Sequence, residues 1–353
     1  MALLEIKNLK TYYEIRAGTV KAVDDVSLSL QKGEVLGLAG ESGCGKTTTC
    51  LSIMRMIQTP GRIVEGEILY DRAQAFMDLE GPRSRLQRLF RRKSEREISK
   101  NILDLTEEEM QKFRGHHITM IFQGAMNAMN PVHRVGNQIL EVIKIHEPET
   151  DEDEAWERVI NILETVGIDS SRAMDYPHQL SGGMKQRALI AMALISNPDI
   201  VIADEPVTAL DVIVQSQVLK ATKELQKKFN LSMIMITHDL SVIAEVCETL
   251  AIMYAGKVVE YGKLRTLFKE PFHPYTKALI DAFPSVTGPK KALIEIKGSP
   301  PDLINPPSGC RFHPRCPQVM EICRIDEPIN TQTKDGYVAC HLYQNKENEE
   351  DND

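Results

Sequence analysis

Val35-Leu-Gly-Leu-Ala39 runs directly into Gly40-Glu-Ser-Gly-Cys-Gly-Lys-Thr-Thr48, and this junction decides the fold. The first stretch is short, continuous and apolar, as a fully buried parallel strand is. The second matches G-x-x-x-x-G-K-[ST], and a helix-compatible segment, Thr47 to Met56, follows it. Strand, glycine loop and helix in that order turn a pattern match into a site, where a glycine-rich turn alone would not. The glycines let the backbone curl so that successive N–H groups face inward as an anion nest, reinforced by the positive helix end. Gly40, Ser42, Gly43, Cys44, Gly45, Lys46, Thr47 and Thr48 are therefore the candidate phosphate contacts. Lys46 is expected to bridge terminal phosphates and the Thr47 hydroxyl to ligate Mg²⁺. The Cys44 side chain is not required for that role.

Two more segments have the same logic. Ile200-Val-Ile-Ala-Asp204-Glu205-Pro206 is a buried-strand run ending in two acids. Asp204 at the strand tip suits a Mg²⁺ partner, and Glu205 is placed to polarise an attacking water as general base. Alone, such a pair is also an ordinary strand end; joined to the glycine loop it is specific. In Leu180-Ser-Gly-Gly-Met-Lys-Gln-Arg187, Ser181 is a good N-cap and the glycines expose the N–H groups of a helix predicted from Met184 to about Ile195. This is a second anion-binding helix end in one chain. Ser232-Met-Ile-Met-Ile-Thr237 reads as a third buried strand.

Composition narrows the class. The 353 residues are 42% hydrophobic and 26% charged, which excludes a disordered or fibrous chain. The longest purely apolar run, Ala188 to Ile195, falls far short of the roughly 18 residues a spanning helix needs. The opening Met1-Ala-Leu-Leu-Glu-Ile lacks the basic end of an export signal, which predicts a reducing compartment. A net charge of −8 argues against nucleic acid as the partner. From Leu3 to about Gly262, strand-like and helix-like runs alternate, as in an α/β core. Arg83 to Lys100 is a basic interruption, read either as a solvated, mobile insertion or as a surface that meets lipid headgroups or a partner. From Pro271 onward prolines are dense, which predicts an irregular tail. Asn345 to Asp353 is polar and acidic, as disordered ends are.

Taken together, the motifs resemble the ATP-binding subunit of an ATP-binding cassette (ABC) transporter over roughly residues 3–262. The resemblance implies a P-loop ABC ATPase domain over 1–262: a RecA-like core, an antiparallel β subdomain and a helical subdomain at about 124–195. It places Tyr13 against adenine and makes Gln123, in Ile121-Phe-Gln-Gly, the glutamine that senses the γ-phosphate and contributes to the Mg²⁺ site. Ser181, Gly182 and Gly183 become the signature, and Ala209-Leu210-Asp211 the loop that faces a partner cassette. His238, in Ile236-Thr-His-Asp-Leu240, becomes the histidine at the γ-phosphate. Asp204 and Glu205 take the metal and base roles. Met184 stands where glutamine is usual; a side chain just past the glycines matters less than their N–H groups.

The same resemblance implies two cassettes docked head to tail, ATP between one phosphate loop and the other signature, and a membrane subunit's coupling helix beside Gly124 to Pro131. The tail, with Pro271-Phe-His-Pro-Tyr-Thr-Lys-Ala-Leu-Ile280 and Gly298 to Cys316, resembles the C-terminal extension of oligopeptide, dipeptide and nickel importers. That implies an extension over 263–344, a tail at 345–353, a paralogous second ATPase, two permease subunits and an extracytoplasmic solute-binding protein. It also implies a peripheral position at the cytoplasmic face of the membrane. The rival readings are a soluble ABC-type ATPase acting on DNA or ribosomes, and a non-catalytic half that borrows its partner's hydrolysis.

Six of the seven cysteines remain to be placed. Cys50 and Cys247 read as small core residues. Cys310, Cys316, Cys323 and Cys340 do not follow the paired C-x2-C spacing of zinc ribbons. Four thiolates supply the ligand count of a four-iron four-sulfur cluster, and the importer resemblance points the same way. A Cys₄ zinc staple and unligated thiols stay open beside it. Arg311 and Arg315 are expected to offset the negative charge of such a cluster.

Overall fold

The computed structural model describes residues 2–71, 100–124, 128–208, 211–282 and 296–344. The basic segment from Arg83 falls outside the described residues as far as residue 99. So do 125–127 of the segment after Gln123, Ala209 and Leu210, and the acidic end from Asn345. The chain divides into two compact units: Met1–Leu4, Ser29–Val35 and Leu69–Ile236 in one, Glu5–Leu28, Leu36–Ile68 and Thr237–Asp353 in the other.

In the unit containing the glycine loop, β1 (Leu4–Ile15), β2 (Gly18–Leu30) and β4 (Gly61–Tyr70) lie in one sheet in the order β2-β1-β4. A second set of strands runs β11 (Asn330–Thr333), β12 (Gly336–Ala339), β10 (Lys257–Lys263), β9 (Thr249–Tyr254) and β3 (Val35–Ala39). β3 and β9 are parallel, with Leu36 opposite Thr249 and Ala39 opposite Ile252. Every residue of both strands is buried, which is why they read as unbroken apolar runs. α1 (Lys46–Ile53) follows the glycine loop, beginning one residue before the expected Thr47 and ending three before the expected Met56.

The extension is less irregular than its prolines predict. β11 and β12 form an antiparallel hairpin, and β12 pairs with β10 in the register Glu260–Val338, Tyr261–Tyr337 and Gly262–Gly336. The Tyr261 and Tyr337 rings stack with centroids 5.4 Å apart, and Val338 is fully buried beside them. Strands of four residues are too short for alternation to register in a sequence. Upstream in this unit α7 (Leu240–Val246), α8 (Leu264–Lys269) and α9 (Pro274–Asp281) cover the strands, and α10 (Ile322–Ile325) is a single turn in the extension.

The other unit holds β6 (Ile118–Ile121), β7 (Ile200–Asp204) and β8 (Ser232–Ile236), parallel and in the order β8-β7-β6. β5 (Lys100–Asn101) pairs antiparallel with the end of β4. α2 (Glu107–Phe113) starts with a full capping box, Thr106 and Glu109. α3 (Val135–His146) and α4 (Glu152–Thr165) are tied by Arg158, whose fork donates to Glu147 at 2.6 and 2.9 Å. α5 (Gly182–Leu194) carries the signature, and α6 (Val212–Phe229) follows Asp211.

Candidate active site

The glycine loop is held by backbone contacts that explain its composition. Gly40 has φ +147°, and a Cβ there would lie 2.1 Å from the Met253 carbonyl oxygen. Gly45 has φ +106°, and its Cβ would meet the Ala22 carbonyl at 2.2 Å. No side chain other than hydrogen fits at either position. Gly45 is also the N-cap of α1 and brings no side-chain cap to that helix end. Lys46 Nζ donates to the carbonyls of Gly40 (2.8 Å) and Glu41 (3.0 Å) and lies 3.5 Å from Cys44 Sγ. Burial pushes the Cys44 thiol up although Lys46 pulls it down, so this cysteine stays a thiol. Ser42, Gly43 and Thr47 are exposed and Thr48 is half-buried. In the same unit, Tyr13 near the end of β1 is half-buried, its ring packed on the backbone of Gly61, where a Cβ would come within 2.5 Å. His238 is exposed just after the strand that ends at Ile236.

In the other unit the structure brings three side chains together. Gln123 Nε2 donates to Glu205 Oε2 at 2.9 Å, and the Thr208 hydroxyl donates to the same oxygen at 3.0 Å. Glu205 has φ +47°, a left-handed conformation that a glutamate adopts only under constraint. The constraint is its N–H, which donates to Ile236 O of β8 at 2.9 Å and turns the residue out of the strand line. Asp204, one residue earlier, stays in β7 and is buried. The step between buried and half-buried acids thus comes from one backbone kink. Thr208 was not legible as a partner of Glu205, since only the fold sets the geometry of that turn.

Ser181 caps α5 by accepting the Met184 N–H at 3.3 Å, so the helix starts at Gly182, two residues before the predicted Met184. Gly183 is needed for a reason the motif does not give: a Cβ there would sit 2.6 Å from Val214 Cγ1 on α6. Asp211 caps α6, accepting from Ile213 N (3.1 Å) and Val214 N (3.0 Å). Ser181 and Asp211 therefore cap two helices, α5 and α6, that pack directly on each other through Gly183 and Val214.

The four extension cysteines gather in one lobe. Cys310 N donates to Cys323 O at 2.9 Å. Burial, reinforced by the charges of the neighbouring thiols, pushes Cys310 up to about 11 and Cys340 to about 12, and Cys316 upward as well. Among the described residues, however, no three His, Cys, Asp or Glu side chains close around a point where a single metal ion would sit. The structure thus supplies no support for the zinc or iron–sulfur expectation. Arg311 and Arg315 have other partners than expected: Arg311 pairs with Asp24 and the Ala255 carbonyl, and Arg315 with Glu41. Cys50 and Cys247 are buried core residues, as read.

A family model described as ABC transporter matches residues 23–208, and one described as the oligopeptide/dipeptide transporter C-terminal region matches 259–323. The oligopeptide transport ATP-binding protein AppD of Bacillus subtilis (strain 168) is 41% identical over 97% of this chain and 97% of its own length. OppD of Escherichia coli (strain K12), an oligopeptide transport ATP-binding protein, is 40% identical over 96% and 93%. DppD of Bacillus subtilis (strain 168), a dipeptide transport ATP-binding protein, is 41% identical over 96% and 94%. Among solved structures, a dimeric post-hydrolysis state of the ATP-binding cassette MJ0796 bound to ADP and Pi superposes with a TM-score of 0.59 at 26% identity. It covers 74% of this chain and 99% of that one. With both family models in sequence order and relatives aligned nearly end to end, the chain belongs to the ABC transporter ATPases, in the branch that carries the oligopeptide/dipeptide transporter C-terminal region.

Proposed function

We propose that this ATPase drives uptake of peptides. It hydrolyses ATP to ADP and phosphate where two cassettes meet head to tail, Gly40 to Thr48 of one facing Ser181 to Gly183 of the other. The second cassette is a paralogue, and both act on two permease subunits at the cytoplasmic face of the membrane, supplied by an extracytoplasmic solute-binding protein. The relatives' names support the solute class, and the dimeric cassette it resembles supports the docking.

The observation that carries the catalytic reading is the Gln123–Glu205 hydrogen bond with its shared Thr208 contact. Glu205 accepts the proton of the attacking water as its oxygen bonds to the γ-phosphorus and the bond to the bridging oxygen breaks. Gln123, attached to the same carboxylate, registers the change when the γ-phosphate leaves. Lys46, Ser42 and the loop N–H groups of Gly43, Cys44, Gly45 and Thr48 hold the phosphates, Tyr13 the adenine, and His238 the γ-phosphate. Thr47, Gln123 and Asp204 are oxygen donors, the hard set that Mg²⁺ prefers; when bound, the ion neutralises the phosphate charge. Asp211 and the signature Ser181, Gly182 and Gly183 act toward the partner's nucleotide. In the complex purified with its membrane partners, Glu205→Gln should cut ATP turnover by about 10²–10⁴-fold while ATP binding persists. Unchanged turnover would make this chain the non-catalytic half. Labelled-peptide uptake by the reconstituted complex tests the solute, and uptake of nickel instead would replace it.

We further propose that Cys310, Cys316, Cys323 and Cys340 hold a structural four-iron four-sulfur cluster. Four soft sulfur donors in one lobe fit the ligand count, and a cluster spans wider ligands than a single ion does. Bound, it would staple a proline-rich lobe with little core of its own. Anaerobic purification with a visible spectrum and iron assay tests it; a colourless protein carrying one zinc, or none, removes it.

A further inference from the structure

Arg315 of the extension reaches the phosphate loop. Arg315 is nearly buried, its side chain 5% exposed, and all five of its N–H donors have acceptors. Nη1 donates to Glu41 Oε2 (2.6 Å) and to the Tyr254 hydroxyl (3.2 Å). Nη2 donates to Glu41 Oε1 (3.0 Å) and to Ile296 O (3.3 Å), and Nε to Lys297 O (3.0 Å). The pair with Glu41 is a two-pronged guanidinium–carboxylate fork, the strongest and most directional of side-chain ion pairs. The guanidinium also lies over the Tyr254 ring, 5.7 Å from its centroid.

Glu41 is the residue after Gly40, at the start of the loop's curl, and its other polar groups are held too. Its N–H donates to the Tyr275 hydroxyl at 3.0 Å. Its carbonyl accepts from Lys46 Nζ at 3.0 Å and from Cys44 N at 3.3 Å. The supports are themselves locked: Phe312, three residues before Arg315, packs on Tyr254 and Tyr275 with centroids 5.2 and 5.3 Å away. The short turn Arg311 to Arg315 therefore delivers an aromatic wedge and a fork to the same corner of the loop.

We propose that Arg315 is a positioning residue of the ATPase reaction: through Glu41 it fixes the curl of Gly40 to Thr48 and the carbonyl against which Lys46 is set. An exposed ion pair would contribute almost nothing, but this one is half-buried, forked and attached to the backbone that binds phosphate. The proposal rests on the reading of Gly40 to Thr48 as the phosphate loop.

Equilibrium ATP binding by the full-length chain tests it. Arg315→Met and Glu41→Gln should each weaken ATP binding about tenfold or more, the size expected for losing a charge-assisted bidentate contact. Because the effect passes through one contact, the double variant should bind no more weakly than the worse single one. Arg315→Lys keeps the charge without the fork and should retain the melting temperature of the parent while still losing affinity. Multiplying effects in the double variant, or wild-type affinity in Arg315→Lys with only a lowered melting temperature in Arg315→Met, overturns the proposal. Lys46→Ala separates the two levels: lost binding there with intact binding in the Arg315 variants removes the clamp alone, whereas intact binding in Lys46→Ala removes the phosphate-loop reading beneath it.

Discussion

Arg311→Met should be among the most destabilising single changes in this chain. The Arg311 and Asp24 side chains are 4% and 11% exposed, and the residues are 287 apart in sequence. Arg311 also donates to the Ala255 carbonyl, and Asp24 accepts the Tyr12 hydroxyl at 2.6 Å. Removing Arg311 leaves a buried carboxylate with one neutral donor and a carbonyl without its cation, which costs about 3–5 kcal/mol. At about 2–4 °C per kcal/mol for a unit of this size, the melting temperature should fall on the order of 10 °C. Arg311→Met/Asp24→Asn removes both charges together and should recover most of the loss, since Tyr12 still finds an acceptor. The pH dependence has a definite sign. In the parent, burial would raise Asp24, but the Tyr12 hydrogen bond and the Arg311 charge overcome it and hold the carboxyl below its usual range. Its stabilisation is therefore present above the ordinary carboxylate pKa and lost as pH falls through the lower folded value. Without Arg311 the carboxyl is held down less, by Tyr12, Lys257 and Lys21 alone, so it takes a proton at higher pH than in the parent and the deficit of the variant is smaller at mildly acidic than at neutral pH. Denaturation followed by circular dichroism at both pH values measures this. A loss under about 1 kcal/mol, or a double variant as unstable as Arg311→Met, would refute the reasoning.

Gly183→Ala places a methyl 2.6 Å from Val214 Cγ1, so it should cost about 1–3 kcal/mol and lower ATP turnover of the assembled complex by displacing the signature helix. Val214→Ala in the same chain removes the clashing methyl and should restore both; failure of that rescue would mean Gly183 is needed for another reason. His273 is fully buried, and burial pushes it down to about 3, while an unfolded histidine titrates near ~6.5. Between those values the unfolded chain binds the extra proton, so stability falls as pH falls, by about 1.4 kcal/mol per pH unit from this group. His273 Nδ1 accepts the Tyr275 N–H at 3.0 Å as the N-cap of α9, so His273→Asn keeps a cap while removing the titration. Its unfolding midpoint should depend less on pH between 6.5 and 4 than that of the parent; equal slopes would count against a neutral buried imidazole.

What could be read in the sequence was whatever depends on local order. β3, β7 and β8 were visible because strands buried on both faces are short, nearly continuous apolar runs. The glycines at 40 and 45 were legible because a tight anion-binding curl tolerates little else. Partners chosen across long sequence separations were not legible. Glu41 looks like any exposed acid in a loop until Arg315, 274 residues on, is found beside it. The left-handed Glu205 leaves no trace either, because its kink is imposed by Ile236 O rather than by a glycine or asparagine at that position. The β11–β12 hairpin escaped because its strands are shorter than the window in which alternation has meaning.

The arginines of the extension change how the extension is to be understood. Read from composition, it is an appendage whose basic residues answer its own cysteines. In the structure Arg311 is tied to Asp24, and the Asp24 N–H donates to Gly256 O at 2.8 Å, while Gly256 N donates to Cys44 O inside the phosphate loop at 3.0 Å. Arg315 reaches the same loop by way of Glu41. Two polar routes therefore run from a five-residue turn of the extension to Glu41 and Cys44 of one curl. A lobe serving only to bind another subunit would have no reason to set two cations against the glycine loop and the strand beside it. Burying them is costly in isolation and becomes favourable only where rigid acceptors are already in place. The extension is part of the wall that shapes the glycine loop.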